Sequence, residues 1–185
     1  MLPEISLNIL DVAQNSIRAE ASCIEISVEV DRAADTLTVI IKDDGCGMSE
    51  EQIAKVEDPF FTTRTTRKIG LGIPFFKMAA ESTGGSFEIK SELSVGTTVK
   101  AVFGLSHIDR MPLGDINSTI HTLITYNTSF DFVYIYKFDG ASFTLDTRQM
   151  REILGGVPLD EPEISAYIKE YLNENKNEVD GGVLI

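Results

Sequence analysis

The stretch KDDGCGM, residues 42–48, ends an alternating apolar run with two carboxylates and two spaced glycines. A turn needs the glycines but not adjacent acids, which repel each other. Gly45 and Gly47 allow backbone to approach a flat ligand closely, since no Cβ intervenes. Asp43 at the strand end can accept a hydrogen bond from an exocyclic amine. A tight turn alone would use the same glycines. A second group, Asp11, Asn15 and Arg18, is spaced four and three apart, so a helix stacks all three on one face. There an amide oxygen suits a hard cation such as Mg2+, a carboxylate one turn earlier can take a proton, and a guanidinium one turn later can pair with phosphate. A solvated helix face would carry the same trio. A third stretch, RKIGLGI, opens a helix at Gly70, Leu71 and Gly72, whose unpaired amides can donate to phosphate oxygens. Arg64, Arg67 and Lys68 lie just before it. Finally, VGTTV places the Thr97 hydroxyl directly after Gly96 at a strand start, which is ordinary turn chemistry or a ligand contact.

These residues need elements to hold them. PEISLNILDVAQNSIRAEA repeats Ile5, Ile9, Val12, Ala13 and Ser16 on one stripe, which predicts an amphipathic helix. CIEISVEV and TLTVIIKD alternate in polarity around the polar DRAAD and predict an antiparallel pair. Ser49 and Gln52 form a capping box for a short helix over SEEQIAKVED. IPFFKMAAESTGG predicts a helix stopped by Gly84 and Gly85, followed by strands SFEIKSEL and GTTVKAVFGL. Near residue 106 the periodicity breaks around Pro112 and Gly114, which sets a domain boundary there. Beyond it, DINSTIHTLITYN reads as a helix, FDFVYIYKF and ASFTLD as strands joined by Asp-Gly, and TRQMREIL as a helix capped by Asp146. EPEISAYIKEYLNENKN reads as a last helix with Pro162 in its first turn, loosening from about Asn173.

The chain has 185 residues and a formal net charge of −13, and both parts are acidic: 10 Lys/Arg against 16 Asp/Glu up to residue 105, and 6 against 13 after it. A nucleic-acid surface is therefore not expected. No basic-then-apolar leader is seen and no apolar run approaches the roughly 20 residues that span a bilayer, so a cytoplasmic protein off the membrane is expected. Cys23 and Cys46 lack ligand spacing, which suggests neither a disulfide framework nor a zinc site. The P-loop pattern, H-E-x-x-H and G-x-S-x-G are absent.

In this order, a helix with D-x-x-x-N, strands ending D-x-G-x-G, a basic stretch ending G-x-G at a helix, and a G-T-T strand, the motifs closely resemble the GHKL ATPase superfamily. That group includes gyrase B-type subunits, mismatch-repair ATPases, anti-sigma serine kinases and the catalytic domains of histidine kinases. NSIRAEASCIEISVEV with IIKDDGCGM looks most like mismatch-repair members, and EDPFFTTRTTRKIGLGI like the histidine-kinase lid. The resemblance covers residues 1–105. It implies a two-layer α/β (α+β) sandwich of the Bergerat type with a mixed sheet, and residues 106–185 are expected to add a small α+β domain.

It also implies ATP and Mg2+ as ligands. Asn15 would hold the metal and Asp43 would accept from the adenine amine. Gly45 and Gly47 would form the turn beneath the base, with Met48 lining its pocket and Thr97 nearby. Gly70, Leu71 and Gly72 would meet the phosphates, as would Arg18, Arg64, Arg67 and Lys68. Asp11 matches the position of the superfamily's catalytic acid, usually a glutamate, and Asp44 takes no catalytic role. With no upstream segment carrying a phospho-acceptor histidine, the expected activity is phosphoryl transfer to a Ser, Thr or His of a partner protein. A slow ATPase cycle driving conformational change, or a nucleotide-sensing module, is the alternative. A homodimer is left open.

Overall fold

A computed structural model of the chain describes residues 4–57 and 72–185. Helix α1 (Ile5–Arg18) buries Ile5, Ser6, Asn8, Ile9, Val12, Ala13 and Ser16 on one stripe. Glu4, at its N-cap, makes no side-chain cap hydrogen bond. Instead the amides of Ile5 and Ser6 donate to the carbonyls of Pro112 and Leu113, at 3.0 and 2.9 Å, which satisfies two of the donors a helix leaves unpaired. Strands β1 (Cys23–Asp31) and β2 (Thr36–Asp43) pair antiparallel, with Val28 opposite Val39 and Ile24 opposite Asp43. Their alternation sends Ile24, Ile26, Val28 and Val30 of β1, and Leu37, Val39 and Ile41 of β2, into one core.

Helices α2 (Glu50–Glu57) and α3 (Gly72–Glu81) precede strands β3 (Ser86–Glu92) and β4 (Gly96–Gly104). The expected capping box is present: Ser49 N donates to Gln52 Oε1 and Gln52 N to Ser49 Oγ. After α4 (Ile116–Tyr126) come β5 (Asp131–Phe138), β6 (Ala141–Asp146), α5 (Thr147–Ile153) and α6 (Pro162–Asp180). The six strands form one mixed sheet in the order β3-β4-β2-β1-β5-β6, in which only the β1–β5 pair is parallel. Helices α3, α1, α4 and α6 neighbour one another in that order. They cover the face that carries the buried strand residues, which gives the layered α/β architecture.

Two expectations change here. Residues after 106 build no sheet of their own, because β1 has a second edge to fill. β5 fills it, Val28 lying beside Tyr136, and Phe132, Tyr134, Tyr136 and Phe138 join the same core as β1 and β2. The expected boundary thus falls in the link from β4 to α4, within a shared sheet. The chain also does not loosen at Asn173. Helix α6 continues to Asp180, with Leu172 and Asp180 buried, and ends at Gly181 in the left-handed conformation at φ 68°.

Candidate active site

Leu37, Val39, Ile41 and Asp43 share the inward face of β2, so the period of the strand drives an aspartate into a place that otherwise takes an apolar side chain. On α1, Ser16 likewise ends the apolar stripe. The two polar ends meet: Ser16 Oγ donates to Asp43 Oδ2 at 2.5 Å. Asp43 Oδ1 accepts from the amides of Gly45 at 3.0 Å and Thr97 at 3.3 Å. Asp43 is 8 % exposed and faces a cleft of about 710 Å³. Three neutral donors hold it, which fill Oδ1 and leave Oδ2 able to accept once more.

The remaining walls are apolar and polar in turn. Val12, Ile41, Met48, Val56, Ile73 and Val99 supply the apolar surface. Asn15 and Arg18 line the cleft from α1, Glu20 from the turn after it, and Gln52 and Lys55 from α2. Such a cavity, apolar with a single convergent buried acceptor, fits a flat heterocycle that carries an N–H.

Of the fourteen expected site residues nine are described, and six of those nine converge here, without Asp11, Gly45 and Gly72. Asn15, Arg18, Asp43, Gly47, Met48 and Thr97 all line the cleft. Met48 is set by its amide, which donates to Ser91 Oγ at 2.8 Å, and the same hydroxyl lies 2.8 Å from Thr97 Oγ1. The two motif glycines serve the protein's own backbone. A Cβ on Gly47, at φ +66°, would sit 1.9 Å from the Glu92 carbonyl oxygen, and one on Gly45 would sit 2.8 Å from the Ala19 carbonyl oxygen. Gly45 does not line the cleft; it packs the loop on the end of α1 and gives its amide to Asp43.

Asp44 points the other way. Its Oδ1 accepts from the amides of Ser22 and Cys23 at 2.7 and 2.9 Å, and its Oδ2 from the Ser22 hydroxyl. Its modest burial opposes ionisation, but the hydrogen bonds from Cys23 and Ser22 outweigh that and hold the carboxyl below its ordinary value. Asp44 therefore caps the turn.

On α1, Arg18 Nη1 donates to Asn15 Oδ1 at 3.1 Å, so the expected stacking is present. The Asn15 oxygen keeps one lone pair. Among the described residues no group of three or more His, Cys, Asp or Glu could hold a metal ion. A Mg2+ here would draw one oxygen from the chain and the rest from phosphates and water, which is how Mg2+ is commonly bound. Asp11 does not line the cleft. It lies against the start of α3, where a Cβ on Gly72 would come within 2.9 Å of the Asp11 Cβ. Burial raises the Asp11 carboxyl above its ordinary value, partly offset by the Arg18 charge. Arg64, Arg67, Lys68, Gly70 and Leu71 lie outside the described residues.

Sequence reasoning missed Ser16, Ser91, Glu20, Gln52 and Lys55 as cleft or supporting residues. Ser16 had one available signal, a hydroxyl on an otherwise apolar stripe; Ser91 and Lys55 had none, since only the strand pairing and the seating of α2 bring them here. His107 and His121 do not line the cleft. His121 Nε2 sits 2.9 Å from Ser165 Oγ, between α4 and α6.

Among the described residues no helix is long and apolar enough to cross a membrane. The chain is 31% identical over 100 residues to the C4-dicarboxylate transport sensor protein DctB of Pseudomonas aeruginosa, covering 54% of this chain and 16% of that protein. It is 33% identical over 102 residues to the sensor protein SrrB of Staphylococcus aureus, covering 52% of this chain and 17% of that one. The chain thus spans about a sixth of the length of these relatives. In fold it is similar to the MutL ATPase domain of Aquifex aeolicus complexed with ADP, at a TM-score of 0.51 and 14% identity, with 84% of this chain and 70% of that chain covered. It is also similar to the N-terminal domain of a DNA repair protein, at a TM-score of 0.56 and 14% identity, with 78% and 53% covered. The profile of the histidine kinase-, DNA gyrase B- and HSP90-like ATPases matches residues 4–107. With that match spanning more than half of its length, the chain belongs to the histidine kinase-, DNA gyrase B- and HSP90-like ATPase family.

Proposed function

We propose that this protein binds Mg-ATP in the cleft and passes the γ-phosphoryl group to a Ser, Thr or His of a partner protein, acting as a kinase-like regulator. The observation that carries the reading is Asp43: a buried carboxylate at the floor of an apolar cleft, with acceptor capacity left over. The exocyclic amine of adenine supplies the missing donor, whereas the carbonyl of guanine would bring a second acceptor to the same place. Asn15 holds Mg2+, which neutralises phosphate charge, and Arg18 and Lys55 bring positive charge to the cleft of an acidic protein.

In this reading the acceptor comes from a partner, and neither His107 nor His121 lines the cleft. In the transfer, the bond between the γ-phosphorus and the bridging oxygen breaks, a bond to the acceptor oxygen or nitrogen forms, and ADP leaves. In this reading the base for a hydroxyl acceptor is Asp11, one turn before Asn15 on α1 and against the start of α3 rather than on the cleft wall, with its carboxyl raised by burial. The same base favours hydrolysis as a second reading, since water can take the place of the hydroxyl. The acidic surface supports a protein partner over a nucleic acid, and ATP with reduced cysteines fits the cytoplasm. The test is calorimetry with ATP and GTP, followed by γ-labelled ATP incubated with lysate fractions. Tight ATP and weak GTP binding with label on one protein supports transfer; label released only as phosphate supports hydrolysis. Equal ATP and GTP affinity removes the adenine reading.

A further inference from the structure

The inward faces of three adjacent strands end alike. Phe87 and Ile89 of β3, Val99, Ala101 and Phe103 of β4, and Leu37, Val39 and Ile41 of β2 pack in the core, and next along the same faces come Ser91, Thr97 and Asp43. Strand pairing sets Ser91 opposite Thr97 and Thr97 opposite Asp43, so the three polar residues form one row across the sheet. Asp43 and Thr97 line the cleft; Ser91 does not. Thr97 spends its amide on Asp43 Oδ1 at 3.3 Å, which leaves its hydroxyl for the cleft.

What that hydroxyl offers depends on Ser91. Ser91 Oγ accepts from the Met48 amide at 2.8 Å and has one proton to give, with two acceptors in reach: Thr97 Oγ1 at 2.8 Å and the Gly96 carbonyl at 3.0 Å. Given to Gly96, the proton obliges Thr97 to donate back to Ser91, and the cleft meets lone pairs only. Given to Thr97, the nearer acceptor, it frees the Thr97 proton for the cleft. Met48 N–H, Ser91 O–H and Thr97 O–H then run one way, each bond polarising the next. In the adenine-nucleotide reading, on which this inference rests, Asp43 takes the exocyclic amine. The ring nitrogen beside that amine is an acceptor, so it needs a donor next to Asp43 in the row, where Thr97 stands. We propose that Ser91 is a positioning residue that turns the Thr97 proton into the cleft, where Thr97 donates to the ring nitrogen beside the amine.

Calorimetric titration of ATP and 1-deaza-ATP, in which that nitrogen is a CH, into the full chain and its Ser91 variants tests this. Wild type should bind ATP about fivefold more tightly than 1-deaza-ATP, the scale of one neutral hydrogen bond. Ser91→Asp, an acceptor only, should take the Thr97 proton and bring the ratio of the two affinities to about one. Ser91→Thr keeps the hydroxyl and should keep the ratio. Ser91→Ala, which leaves Thr97 without this partner, should lose part of it and serves as the test if the aspartate does not fold. A merely structural side chain would change both affinities together and leave the ratio alone. An unchanged ratio in Ser91→Asp or Ser91→Ala, or a wild type that binds both nucleotides equally, overturns the role of Ser91 and leaves the adenine reading standing. A wild type that binds neither overturns both.

Discussion

Asp43 and Asp180 are both buried aspartates that accept three hydrogen bonds, and they lie on opposite sides of β1. Asp180, beneath α6, accepts from Tyr136 OH at 2.8 Å, from Lys176 Nζ at 2.5 Å and from the Gly182 amide at 2.9 Å. Its side chain has no exposed surface, and an ammonium neutralises it. Burial, together with the Asp180 hydrogen bond, drives the Tyr136 hydroxyl far above its ordinary value, so it stays a donor. Asp43 has three neutral donors instead, and it opens on a cleft. The β5–β6 side thus closes its buried charge within the chain, while Asp43 on the β2–β4 side meets no cation among the described residues and faces a cleft. A buried carboxylate in that setting costs stability unless a further donor completes it. That contrast marks the cleft as the functional side.

The largest expected effect lies on the closed side. Asp180→Ala should cost about 3 kcal/mol in denaturant unfolding, because Lys176 and Tyr136 lose a buried partner, while ATP affinity measured well below the melting temperature stays unchanged. A parallel tenfold loss of affinity would show that the two sides are not independent. Next, Asp11→Asn should lower turnover or partner phosphorylation by about 10², the usual scale of general-base loss, and leave ATP affinity nearly intact. Steady-state and label-transfer assays check it, and unchanged output would make the cleft a sensor.

Asp43→Asn should weaken ATP by about 1.5–3 kcal/mol in calorimetry, since an amide NH2 in place of the Oδ2 acceptor cannot take the adenine amine. A fully retained affinity would place the base elsewhere. Asp44→Ala removes only a turn cap and should cost about 1–2 kcal/mol of stability with no direct loss of binding. Because its carboxyl is lowered, the stability it contributes is present above the ordinary carboxylate range and is lost as pH falls through its own value. The smallest effect has the opposite sign. The Asp11 carboxyl is raised, so the folded protein holds that proton more tightly and loses stability as pH rises through its range. Asp11→Asn should therefore melt slightly higher than wild type at neutral pH, with the gain shrinking in acid.

Local pattern carried much of the reading. The alternation of TLTVIIKD placed β2 and its end at Asp43, the Ser49/Gln52 pair marked the start of α2, and Asp146 caps α5 through the Arg148 amide as expected. The spacing of Asp11, Asn15 and Arg18 brought Arg18 onto Asn15 as a helix requires. Less legible was why Gly47 is a glycine. The sequence suggests room for a ligand, but the close neighbour is the carbonyl of Glu92, on a hairpin 45 residues away.

Periods of 2 and 3.6, caps and motif order are local properties, so the sequence by itself determined the elements, the family resemblance and which carboxylate of the pair turns inward. Pairing between distant strands has no such signal. Whether β5 filled the free edge of β1 or began a second sheet depended on burying Tyr134 and Tyr136 in a shared core, and the length of α6 depended on a partner for Asp180. Only the tertiary structure decided these, along with the meeting of Ser16 and Asp43, because each is set by contacts between segments far apart in the chain.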